Sequence, residues 1–90
     1  MVVSVEEVKA KIFHWLCSRY HDPGQGNEYI DKEIIREAIN APAEVFEKAL
    51  NEFVDPGAND CVEVETSGRL RLGIGGLKFC EAGTNPFTQT

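Results

Sequence analysis

His14 and His21 are the two histidines of the chain, and imidazole is the side chain best suited to proton transfer or metal ligation near neutral pH. They stand seven residues apart on the polar side of an expected helix, two turns from one another. A metal site there calls for a partner at i+3 or i+4 and for further ligands. Glu7 and Lys11 flank that face, and only Glu7 offers an acceptor. The expectation is two solvated histidines.

Cys17, Cys61 and Cys80 are odd in number and widely spaced, without a CxxC pair. Neither a redox motif nor a zinc knuckle is indicated. Buried free thiols in a reducing compartment are the simplest reading. Cys17 has no basic neighbour to activate it beyond His14 or His21, so a structural thiol is expected rather than a nucleophile. The acidic pairs Glu6-Glu7 and Glu63/Glu65 lack a cleft that would raise a carboxyl for acid–base work. Gly73-Ile74-Gly75-Gly76 lacks the Lys-Ser/Thr and the βαβ setting of a phosphate loop. No catalytic set, metal site, cofactor or small-molecule ligand is indicated, and a non-enzymatic role is expected.

Ninety residues support one domain with one small core. The net charge is −6 and is uneven along the chain. Residues 1–67 hold 6 basic and 14 acidic residues, whereas residues 68–90 hold 3 and 1. An acidic domain repels phosphate at long range. The first residues lack a basic segment followed by an apolar run, so no secretory signal is expected. No apolar run is long enough to span a bilayer. A cytoplasmic protein without membrane contact is expected.

The elements follow from caps and periodicity. Ser4 with Glu6 and Glu7 marks a helix start, and Val5 to Tyr20 is amphipathic at the helical period. Asp22 to Asn27 is rich in breakers. Tyr29-Ile30 reads as a short extended pair, and Asp31 caps a second helix. Ile30 and Ile35 stand at hydrophobic-staple positions. Ile34, Ile35, Ala38 and Ile39 are expected on the buried side of that helix. After Asn40-Ala41, Pro42 opens a third helix over 42–54. The period then changes to alternation in Cys61 to Glu65 and again in Arg69 to Ile74, on either side of the turn Thr66-Ser67-Gly68. Leu77 to Glu81 reads as a short closing helix. Residues 84–90 read as a flexible tail, in which Asn85-Pro86-Phe87 matches a tripeptide bound by EH domains.

The order helix–short strand–helix–turn–helix over Val5–Val54, followed by the hairpin Val62–Ile74, resembles a winged helix-turn-helix. Leu72, Gly76, Phe79 and Glu81 match the Leu-Thr-x-x-Gly turn and short helix that end many bacterial wings, with Gly73 in place of Thr. The resemblance covers about four-fifths of the chain. It implies an α+β fold over residues 1–83, with a three-helix core, a two-stranded β-wing and a short C-terminal helix. It also implies that helix 42–54 would enter a major groove and that the wing would touch phosphates.

The residues set that implication against a second one. The outward arc of helix 42–54 holds Glu44, Glu47, Lys48, Asn51 and Glu52, whereas base reading and phosphate holding require Arg, Lys, Asn or Gln. Arg69 and Arg71 are expected to pair across the hairpin with Glu63 and Glu65. The favoured reading is a protein-contact or self-association module. It would use Val8 and Trp15 on the first helix, with a possible homodimer there, and the acidic face Glu44, Glu47 and Glu52 toward a basic partner. The alternative is a DNA-binding transcriptional regulator that presents Lys32, Arg36, Lys48, Asn51, Arg69, Arg71 and Lys78.

Overall fold

The computed structural model describes residues 4–22, 24, 28–54, 61–85 and 87. Helix α1 spans Val5–His21. The Ser4 hydroxyl accepts the Glu7 amide at 3.1 Å, so one orphan donor of the first turn is satisfied. Val8, Ile12, Phe13 and Leu16 are its buried side.

Strand β1 is the pair Ile30–Asp31, and α2 follows at once over Lys32–Ile39. The Asp31 carboxylate caps α2 by accepting the Glu33 amide at 2.9 Å. Asn40 adopts the left-handed conformation with φ 55°, and the Ala41 amide donates back to the Arg36 carbonyl. That hydrogen bond closes the end of α2. Helix α3 runs over Ala43–Val54, with Phe46, Ala49, Leu50 and Phe53 buried.

Strands β2 (Val62–Val64) and β3 (Arg69–Leu72) form an antiparallel hairpin. Its turn places Gly68 at φ 94°, which a residue without a Cβ adopts at no steric cost. Strand β1 adds to the other edge of β3, pairing Ile30 with Leu70 and Asp31 with Arg69. The sheet therefore has three strands in the order β1-β3-β2, one more than the two-stranded hairpin that the alternation predicts. Leu70 and Leu72 point inward and are almost wholly buried against Phe13, Phe46, Ile12 and Ile35, the largest buried side chains. The described residues form a small α+β fold of four helices and one antiparallel sheet. Among the described residues, no helix is long and apolar enough to cross a membrane.

Four expectations are corrected. Ile34 is 56% exposed and Ala38 is exposed as well. An eight-residue helix covered on one side buries only Ile35 fully, and Ile34 lies about 100° around the axis from it. Helix α4 spans Ile74–Ala82 and takes in Gly75 and Gly76. The reason is packing: a Cβ on Gly76 would stand 2.0 Å from the Cys61 carbonyl oxygen, so glycine lets the first turn of α4 lie directly on the strand entry. The expected tail is not loose over its described part. Phe87 meets Phe13 and Phe53 edge-on at 5.9 and 5.4 Å, and the Asn85 side chain donates to the Ala10 carbonyl at 3.0 Å. Finally, Cys17 and Cys80 are not free thiols but form a disulfide, with Cα atoms 5.6 Å apart. The longer α4 carries Cys80 onto the C-terminal half of α1. Cys61 is outside this disulfide and is buried.

Candidate interaction face and sulfur–imidazole cluster

Helix α3 and the hairpin present the outward surface on which most of the candidate residues lie. Because α3 buries Phe46, Ala49, Leu50 and Phe53, the helical period turns Glu44, Glu47, Lys48, Asn51 and Glu52 to solvent, and all five are exposed.

The cations next to this face are held by carboxylates. Lys32 of α2 reaches Glu47 of α3 at 2.8 Å, and Arg36 bonds Glu33 within α2 at 2.9 Å. Across the hairpin Arg71 meets Glu63 at 2.6 Å, and Arg69 meets Glu65 at 2.6 Å. The first of these pairs follows from the strand register, which sets Glu63 opposite Arg71. Tyr29 adds to it: its hydroxyl donates to Glu63 at 3.2 Å, and the Arg71 guanidinium lies 4.4 Å from its ring centroid. The expected pairing of both arginines is thus observed.

The same contacts shift protonation. The hydrogen bond from Lys32 to Glu47 holds the ammonium above the ordinary lysine range. The Ser67 hydroxyl, then Arg69, hold Glu65 below the usual carboxylate range. Glu63 raises Arg71 further. Among the described residues, Lys11, Arg19, Lys48 and Lys78 are the cations outside any ion pair.

Behind this face, Lys9 of α1 fastens α1 to α3. It binds Glu52 at 2.7 Å and Glu6 at 3.0 Å, and it lies 5.4 Å from the centroid of the Phe87 ring. Burial opposes its charge, but the hydrogen bonds to Glu52 and Glu6 outweigh that and raise it above the ordinary lysine range. Glu52 is therefore partly committed to the fold, whereas Glu44 projects freely from the first turn of α3.

The two candidates on α1 separate. Val8 has no exposed surface, so it belongs to the core and not to a pairing surface. Trp15 is half-buried and borders a shallow depression of about 240 Å³ with Ser18, Arg19 and Asp22. The Nε of Arg19 is buried there without a hydrogen-bond partner. Lys78 is exposed on α4, apart from the ion pairs of α2 and the hairpin.

A second constellation lies where α1 meets α4. The Nε2 of His21 is 3.3 Å from the Cys80 sulfur and 3.4 Å from the Cys80 carbonyl oxygen. Cys17, His21 and Cys80 bring their three donor atoms within 4.8 Å of one another. A cleft of about 290 Å³ opens beside them, lined also by His14, Ser18 and Asn85. The histidine spacing alone does not reveal this cluster. The signal in the sequence is His14-x2-Cys17-x3-His21, which places the sulfur one turn from each imidazole on one helix face. Cys80, the remaining donor, comes from 63 residues beyond Cys17.

No family model, curated protein or solved structure matches this chain.

Proposed function

We propose that the chain is a winged-helix interaction module that docks a basic protein segment on the outward face of α3. The fold reading is supported by the element order α1-β1-α2-α3-β2-β3, with the hairpin β2-β3 in the place of the wing. The function reading rests on one observation: Lys32, Arg36, Arg69 and Arg71, the cations that would hold phosphates, are each bound to a carboxylate.

Magnitudes decide what this means. An exposed ion pair is worth about 0–1 kcal/mol, so a polyanion could displace a single one. The charge balance is not displaced with it. Residues 31–54 carry six carboxylates (Asp31, Glu33, Glu37, Glu44, Glu47 and Glu52) against Lys32, Arg36 and Lys48. The hairpin's two glutamates cancel its two arginines. A duplex seated on α3 would meet a net negative surface with Glu44 and Glu47 facing its phosphates. A lysine- and arginine-rich segment would meet complementary charge, which raises the association rate and selects the partner. The DNA-binding alternative retains Lys48, Asn51 and Lys78 as exposed donors without an ion pair or side-chain hydrogen bond among the described residues, too few to hold a backbone.

The test is fluorescence polarisation of a labelled lysine/arginine-rich peptide. Binding is expected to weaken as salt rises and to be lost on reversing Glu44, Glu47 and Glu52 to lysine. The same number of reversals at Glu7, Glu28 and Glu37 should leave it largely intact. Equal loss from both sets would show that net charge, and not this face, holds the peptide, and would refute the docking site.

A further inference from the structure

We infer that Cys17, Cys80 and His21 form a thiol-controlled site for a zinc-type divalent ion: the disulfide form is closed to the metal and the reduced form binds it. This is independent of the α3 face, from which the site is separate.

The geometry carries the inference. Two donors on one tetrahedral zinc stand about 3.5–3.8 Å apart, given Zn–N of about 2.0–2.1 Å and Zn–S of about 2.3 Å. The Nε2 of His21 already stands 3.3 Å from the Cys80 sulfur, and all three donor atoms fall within 4.8 Å of one another. The two bonded sulfurs must part, and the His21 imidazole must close on the Cys17 sulfur from within 4.8 Å. Cys17 is half-buried and His21 is exposed, so these two can move, whereas Cys80 is 2% exposed and is the fixed donor. Two sulfurs and one imidazole are also the donor chemistry that zinc prefers over harder cations. A cleft of about 290 Å³ adjoins the three donors and gives a further ligand access to them, and His14, one turn before Cys17, also lines it. A set of three protein ligands with one open position is the arrangement that lets a zinc ion take a water or another ligand.

The chemistry balances. A dithiol reductant passes two electrons and two protons to the Cys17–Cys80 bond and closes into its own disulfide. Zinc then displaces the two thiol protons to solvent as two zinc–thiolate bonds form, and neutral His21 donates the Nε2 lone pair. A low-molecular-weight disulfide reverses the process. It takes two electrons from the two thiolates and leaves as two thiolates of its own. The Cys17–Cys80 bond re-forms, and zinc returns to solvent.

Cobalt(II) is the probe. The full chain carrying Cys61→Ala, reduced and freed of reductant, is expected to bind one cobalt per chain with a thiolate-to-cobalt charge-transfer band and the d–d bands of tetrahedral cobalt. Zinc should bleach both. The oxidised chain should show neither. Cys80→Ser should lose the charge-transfer intensity of one thiolate. His21→Ala, a change at an exposed position that the core does not use, should shift the d–d bands and weaken the metal. Absence of a thiolate-to-cobalt band in the reduced chain overturns the inference, whether or not that chain stays folded without metal. An unchanged spectrum in His21→Ala overturns it as well.

Discussion

The α3–hairpin face and the α1–α4 seam are held in opposite ways. The face is laced by exposed ion pairs between neighbours in sequence or register: Arg36 with Glu33, Arg69 with Glu65, Arg71 with Glu63. Each contributes little to stability, and what the face determines is the sign of charge that a partner meets. The seam is closed by a disulfide 63 residues long in sequence separation and an imidazole beside it, and the Phe87 ring clasps α1 to α3. Its contacts are few but individually strong. Stability is therefore expected to depend on the seam and recognition on the face.

The sharpest challenge to that division is Gly76→Ala. Its Cβ would lie 2.0 Å from a backbone oxygen, which no side-chain rotation relieves. A loss of about 4 kcal/mol is expected, read by urea denaturation. A loss under about 1 kcal/mol would show that α4 can lift from the strand entry, and that the seam is softer than described.

Next in size is the pair Cys17→Ser with Cys80→Ser. Closing a loop of this length stabilises by about 4 kcal/mol in the chain-entropy treatment, and measured effects commonly reach about 2–4 kcal/mol. The parent chain in reductant should match the double variant without it. A parent insensitive to reductant would mean that the bond is dispensable to the seam.

Phe87→Ala removes two edge-on ring contacts and the face presented to Lys9. A half-buried aromatic of this kind is expected to cost about 1–2 kcal/mol. Deletion of the residues from Thr84 onward should cost at least as much.

How far the sequence reveals these regions differs for the same reason that they are held differently. The face is readable because its determinants are local. Helical period places Glu44, Glu47, Lys48, Asn51 and Glu52 outward, and strand alternation around a three-residue turn pairs the arginines with glutamates. Caps at Ser4 and Asp31 set the helix starts. The seam is hidden because its determinants are distant. Nothing near Cys80 announces Cys17, and Gly75-Gly76 fall outside the closing helix expected from Leu77 because glycine weakens helices. Close approach to Cys61 overrides that propensity. Phe87, in a polar stretch, carries no period at all. For Val8 and Ile34 the sequence offers only a place relative to an apolar arc, and a helical arc does not say how wide a neighbour will cover it.

On the face, the expected effects are smallest. Arg71→Ala or Glu63→Ala should cost no more than about 1 kcal/mol, despite the short contact and the Tyr29 ring. Protonation follows the same scale. Glu65 is depressed by Ser67 and Arg69, so its contribution is present above the unfolded carboxylate range and fades only as pH falls through its lower folded value. Lys32 is raised by Glu47, so its contribution holds below the ordinary lysine range and is lost as pH climbs through the raised value. Between these limits the face should leave stability flat, which a set of denaturation curves at stepped pH would register.

The most direct check of the proposed role is the polarisation of a labelled random-sequence duplex titrated with the full chain at about 10 mM salt, where phosphate contacts are strongest. The account calls for no saturable binding there. Saturable binding that weakens steeply with added salt, and that Arg69→Ala with Arg71→Ala abolishes, would contradict it and assign the α3–hairpin surface to nucleic acid.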